Sequence, residues 1–213
     1  MQERRKGIFA AAVLMLIAGP AAALTLNLSD VSSDSTPASL LSAQFQFDVT
    51  DTTLSLTVRN LTLTATPYAI SGVFFNASTD VSGLSFVGAQ QNRTGWAFFD
   101  SGKGVSGAGF GNFDFALGAG SNSGGIQFGG SNVFRFSITC KAGAICDASD
   151  FGGIPSTGGA RLAVAGLNFV NGPGGDSAFG ASTQGMPVPE PGTAALLIFG
   201  LAGLAACRGA RRR

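Results

Sequence analysis

Apolar side chains recur at every second position over much of this chain, a spacing that predicts half-buried strands. Phe45, Phe47 and Val49 alternate with Gln44, Gln46 and Asp48, and Leu54, Leu56 and Val58 alternate with Ser55 and Thr57. At Arg59-Asn60 the apolar phase moves by one and Leu61 and Leu63 carry it on, which suggests a β-bulge or two strands joined by a tight turn. Further strands are expected at 70–75, 84–87, 96–99, 113–117, 126–128, 133–139 and 162–170, separated by turn-forming stretches such as SGKGVSGAG, GAGSNSGG and NGPGG. No segment before Pro189 has a helical period. About eight to ten short strands with phenylalanine at alternate positions predict an all-β fold, an antiparallel β-sandwich of jelly-roll or immunoglobulin-like type.

The two ends have a different pattern. Residues 1–23 place Arg4, Arg5 and Lys6 before an apolar core at 8–18, and Ala21 and Ala23 fit the small-x-small rule of a signal-peptide cleavage site. The mature chain is expected to begin at Leu24. At the other end, 188–213 reads VPEPGTAALLIFGLAGLAACRGARRR: the tripeptide Pro189-Glu190-Pro191, an uncharged apolar run at 192–207, then Arg208, Arg211, Arg212 and Arg213. A helix over 192–207 would be roughly 24 Å long, just enough to cross a bilayer. The arginines behind it favour a cytoplasmic C-terminus. The two prolines hold the tripeptide extended.

This order of tripeptide, short span and arginine cluster resembles the PEP-CTERM sorting signal of exported bacterial proteins, a resemblance confined to the tail. It implies processing by an exosortase, a membrane-embedded cysteine transpeptidase of bacteria that make exopolysaccharide. On that resemblance Pro189, Glu190 and Pro191 are the recognition element, the transmembrane helix at 192–207 holds the precursor in the bilayer, and the four arginines set its orientation. An ordinary single-pass anchor that stays in place is the other reading of the same residues. The domain plan is then a signal peptide at 1–23, an extracytoplasmic β domain at 24–171, a Gly/Ser-rich linker at 172–187 and the sorting tail at 188–213.

Without its ends the chain has a different charge. The 24–187 region holds six basic residues (Arg59, Arg93, Lys103, Arg135, Lys141, Arg161) against ten acidic ones, all aspartate, for a formal charge of −4. With no basic patch to neutralise phosphates, nucleic acid is not an expected partner. Cys140 and Cys146 are separated by the five residues KAGAI, and in an oxidising compartment a disulfide is the expected outcome over free thiols or a metal pair. Cys207 reads as a small apolar filler of the span or as a lipidation site.

The sequence contains no histidine, which excludes Ser-His-Asp and Cys-His systems and the histidine zinc motifs, and its only glutamates are Glu3 and Glu190, in the targeting ends. An enzyme would need two converging aspartates or a Ser-Lys pair on Lys103 or Lys141. We therefore expect no catalytic residues, no metal and no cofactor. Asp147 and Asp150 offer too few oxygens for calcium, and GAGFGNFDF at 107–115 reads as a Gly-rich turn entering a strand. The Asn-x-Ser/Thr sites at Asn27, Asn60, Asn76 and Asn92 fit a glycosylation pattern that is incidental in a bacterial protein. Trp96 and Tyr68 could form a sugar-stacking pair or belong to the core.

The expected function is a non-enzymatic cell-surface or matrix protein, held in the inner membrane as a precursor and then released or displayed. The alternative is an extracellular module that binds exopolysaccharide through Trp96, Tyr68 and loop aspartates. Exposed aromatics on one sheet face would favour that module, and a buried Trp96 would count against it.

Overall fold

A computed structural model describes residues 23–28, 31–32, 41–63, 68–90, 95–107, 109–120, 124–159, 161–170 and 177–182, with backbone only at 31–32 and 101–103. Eleven strands are formed: β1 (Leu24–Asn27), β2 (Val31–Ser32), β3 (Ala43–Thr50), β4 (Thr53–Asn60), β5 (Ala69–Phe75), β6 (Val81–Ala89), β7 (Trp96–Ser106), β8 (Asn112–Ala119), β9 (Ser131–Cys140), β10 (Ala165–Val170) and β11 (Ala178–Ser182). A 3-10 turn covers Ala148–Phe151. One sheet has the order β1-β3-β4-β9-β6, the other β2-β11-β10-β5-β8-β7, and the pairings in both are antiparallel. Residues 1–22 of the expected signal peptide, including Ala21, and the tail at 188–213 with its expected span lie outside the described residues.

The period-two pattern becomes a shared core because both sheets turn their apolar faces inward. Phe45, Phe47, Leu54, Leu56, Val58, Phe134 and Phe136 fill the inner face of the first sheet, and Val73, Phe75, Leu117, Leu167 and Phe169 that of the second. Aromatic contacts cross between them. Phe136 lies 5.9 Å from Phe75 and 5.2 Å from Phe98, and Phe47 lies 5.9 Å from Phe75, at the centroid separations edge-to-face and tilted rings favour. β3 and β4 join through a two-residue turn in which Asp51 takes a φ of 54°, tolerable for a short polar side chain.

Three expectations need correction. The apolar phase shift at Asn60 is neither a bulge nor a second strand. Inward parity continues unbroken through Val58, Asn60 and Thr62, which are all buried, while Leu61 and Leu63 turn outward and are 47% and 66% exposed. Two inward positions are polar because Asn60 binds backbone there. The expected strand at 126–128 is a single bridge from Ile126 to Ile70, and Phe128 is exposed. The expected linker at 172–187 is in part a strand. Ala178–Ser182 pairs with both β10 and β2, and Ala178 and Ala181 are fully buried, so small side chains here serve packing.

A second cluster covers the outer face of the second sheet. Phe113 and Phe115 should share a face by simple alternation, yet Phe115 joins the inner core and Phe113 packs outside with Phe74, Phe110, Ala116 and Ala163. The strands fall out of step there, with Asp100 opposite Phe115 but Val105 opposite Phe113. The turn at 107–111 folds Phe110 onto this outer cluster, and it needs glycine. Gly111 has a φ of +89°, and a Cβ on it would lie 2.5 Å from the Thr157 carbonyl oxygen. That close approach permits the Asn112 N–H to donate to Thr157 at 2.7 Å.

Candidate functional site

Trp96 opens β7 and is 8% exposed, with its ring 4.8 Å from Phe134 in an edge-to-face contact and its Nε1–H without a partner among the described residues. Tyr68 is 2% exposed and meets Phe169 edge-on at 6.3 Å. The two belong to the apolar core, and neither turns a ring face to solvent as a sugar platform requires.

Cys140 and Cys146 form a disulfide with Cα atoms 6.0 Å apart, tying the end of β9 to the loop that follows. Inside the loop Ile145 is 90% exposed, whereas Cys146 is buried against the core. Loop closure over so short a segment predicts a modest contribution of about 2 kcal/mol. Urea denaturation with and without reductant should show a loss of that size, and unchanged midpoints would contradict it.

The aspartates after the disulfide are occupied. Asp147 accepts from the Ser149 N–H at 2.8 Å and from its hydroxyl, while Asp150 accepts from the Asp147 N–H at 2.8 Å and from the Ser78 hydroxyl. This is a capping box on the 3-10 turn, and it uses the carboxylate oxygens that calcium would need. Among the described residues no three His, Cys, Asp or Glu side chains are grouped to hold a metal.

Two of the Asn-x-Ser/Thr asparagines hold the fold together, a role the sequence gives no local sign of. Asn60 donates to the carbonyls of Tyr68 at 2.7 Å and Ile126 at 2.9 Å, and it accepts from the Thr62 N–H and hydroxyl. Asn76 donates to Ile154 at 3.0 Å and accepts from the Asp114 N–H at 2.7 Å. Both are buried, so neither amide is open to modification in the folded domain. Asn92 lies outside the described residues.

A surface hollow of about 360 Å³ is lined by Val87, Gly88, Ala89, Gln90 and Arg135. Among the described residues its one charged group is the Arg135 guanidinium, which provides neither an acid-base pair nor a nucleophile with its base.

Both ends of the described domain point the same way. β1 begins at Leu24, opposite Phe47 near the Thr50 end of β3, and β11 stops at Ser182, opposite Ala165, which itself pairs with Phe75 at the end of β5. The loop after β5 contacts the elements at that same end of the first sheet, since the Ser78 N–H donates to Asp150 and the Lys141 N–H to Asp80. From Ser182 only residues 183–188 separate this end from Pro189.

No curated protein and no solved structure matches the chain. Among the described residues no helix is long and apolar enough to cross a membrane, and the apolar run at 192–207 lies outside them. Residues 187–213 match the family model described as the PEP-CTERM protein-sorting motif, so this β domain ends in the sorting tail of an exported protein that an exosortase handles.

Proposed function

We propose that this chain is a non-enzymatic structural or adhesive protein of the bacterial surface or exopolysaccharide matrix. Its precursor is exported by the signal peptide at 1–23, held in the inner membrane by the helix at 192–207 with the arginines in the cytoplasm, and cut near Pro189–Pro191. The observation that carries this reading is the sorting motif at 187–213, which begins five positions after the end of the last strand of the β domain. The lack of histidine, and of glutamate outside the targeting ends, supports the non-enzymatic part. The burial of Trp96 and Tyr68 gives the polysaccharide-binding alternative no stacking surface from these rings.

The test is intact mass in two hosts. Protein recovered from the outer fraction of the native host should begin at Leu24 and end near Pro189. The same gene in a host without exosortase should give a chain running through Arg213. A mass reaching Arg213 in both hosts would leave an ordinary permanent anchor and defeat the sorting reading.

A further inference from the structure

We infer that the precursor turns one defined end of the sandwich toward the bilayer, the end that holds both Leu24 and Ser182, and presents the opposite end outward. The inference rests on the anchored topology proposed above and adds to it the direction in which the domain faces.

Two chain exits, independent in sequence, meet at this end. The expected signal-peptide cut falls immediately before Leu24, the first residue of β1, and leaves no spacer on that side. On the other side the six residues 183–188 reach at most ~20 Å. Strands of eight residues such as β3 and β4 are about 26 Å long. A domain longer than its own tether cannot invert to stand on its far end while the tail is in place.

The surfaces at the two ends differ accordingly. Every aspartate among the described residues lies in the half nearer the tail: Asp48, Asp51, Asp80, Asp100, Asp114, Asp147 and Asp150. The bases of that half are Lys103, Lys141, Arg161 and Arg135, the last level with Asp48 across Ser55, so the acids still outnumber them. A face with excess negative charge is repelled by anionic lipid within a screening length of about 8 Å, and the tether allows roughly twice that separation. This end therefore faces the leaflet without lying on it, which leaves Pro189–Pro191 uncovered. The outward end exposes Leu61, Leu63 and Phe128 around the Asn60 hydrogen bonds, where Gly129 N–H donates to the Asn60 carbonyl at 3.0 Å, and has no aspartate among the described residues, whereas the tail end exposes Ile145 and Leu162 beside its carboxylates.

The experiment uses the exported full chain from a host lacking exosortase, with Cys207→Ala and one dye-labelled cysteine at Thr52→Cys, on the tail end, or at Gln127→Cys, on the far end. Both positions are exposed. Each protein is reconstituted into phosphatidylcholine vesicles carrying a headgroup quencher. With labels about 25 Å apart along the strands, the Thr52 dye should be quenched at least about threefold more than the Gln127 dye. Adding phosphatidylglycerol to the vesicles should reduce the Thr52 quenching about twofold, and salt should restore it. Equal quenching at the two sites, or more at Gln127, overturns the orientation. Quenching that ignores the anionic lipid overturns the standoff. Protein that does not float with the vesicles overturns the anchored topology itself, and the orientation with it.

Discussion

Replacing Phe136 with alanine should lower stability by about 3–5 kcal/mol, the range for deleting a fully buried aromatic whose neighbours cannot collapse into the space. Phe136 is completely buried on β9 and touches Phe86, at 5.4 Å, within its own sheet and Phe75 and Phe98 across the interface. The hole would open between the sheets and is bounded by rings held in register by strands on both sides, so little relaxation is available. The measurement is urea denaturation of the purified protein, read as a fall in midpoint at unchanged m-value. Phe136→Leu should recover about half of the loss, because it restores most of the volume but none of the edge-to-face contacts. A loss below about 1 kcal/mol for the alanine variant would mean that the two sheets do not depend on this residue.

Asn60→Leu should cost a similar amount, about 3–5 kcal/mol, for a different reason. The leucine fills nearly the same space and is more apolar, so simple burial would favour it. Against that, it leaves the Tyr68 carbonyl and the Thr62 N–H and hydroxyl without the side chain that satisfied them, each buried orphan costing about 1–3 kcal/mol before partial rearrangement, while the Ile126 carbonyl loses one of its two donors and keeps the Ile70 N–H. The Thr62 hydroxyl, already 3.4 Å from the Tyr68 carbonyl, can recover part of this. A neutral or stabilising outcome in the same denaturation experiment would show that burial outweighs the hydrogen bonds here. Six residues of strand separate Asn60 from Leu54, the neighbour of Phe136 across β4 and β9, so the two losses should add to within about 0.5 kcal/mol in the double variant.

Much of the fold was legible because period two is a direct consequence of pleated geometry with one face buried. β3, β4, β5, β6, β7 and β9 follow from it. The reading failed where something other than hydrophobicity determined which side chain points inward. At Asn60 and Thr62 the inward positions are polar because they bind backbone from residues that are six and more positions away along the chain, so the exposed Leu61 and Leu63 took over the apparent pattern. At Phe113 a local mismatch with β7 sends a phenylalanine to the outer face, where a second cluster waits for it. β11 went unread because Gly and Ala compose both linkers and tightly packed strands, and only its neighbours β10 and β2 tell the two apart.

The candidate site divides in the same way. The tail could be identified from its residues alone, because a sorting signal is a linear object: prolines, an uncharged run and arginines act in the order in which they are joined. The cysteine pair was readable because its partners are close in the chain. Trp96 and Tyr68 were ambiguous, since an aromatic flanked by apolar residues looks the same in a core and on a binding face until the opposite sheet is in place.

By itself, then, the sequence determined the class of fold, the disulfide and the sorting motif at the C-terminal end, all of which depend on residues near one another. Only the tertiary structure decided that β1 and β11 deliver both ends of the domain to one end of the sandwich, and that aspartates scattered from Asp48 to Asp150 gather there. The physical reason is that strand order and direction are set by pairing between segments far apart in the chain. A local pattern can show that a residue faces inward or outward, but not which end of the molecule it occupies.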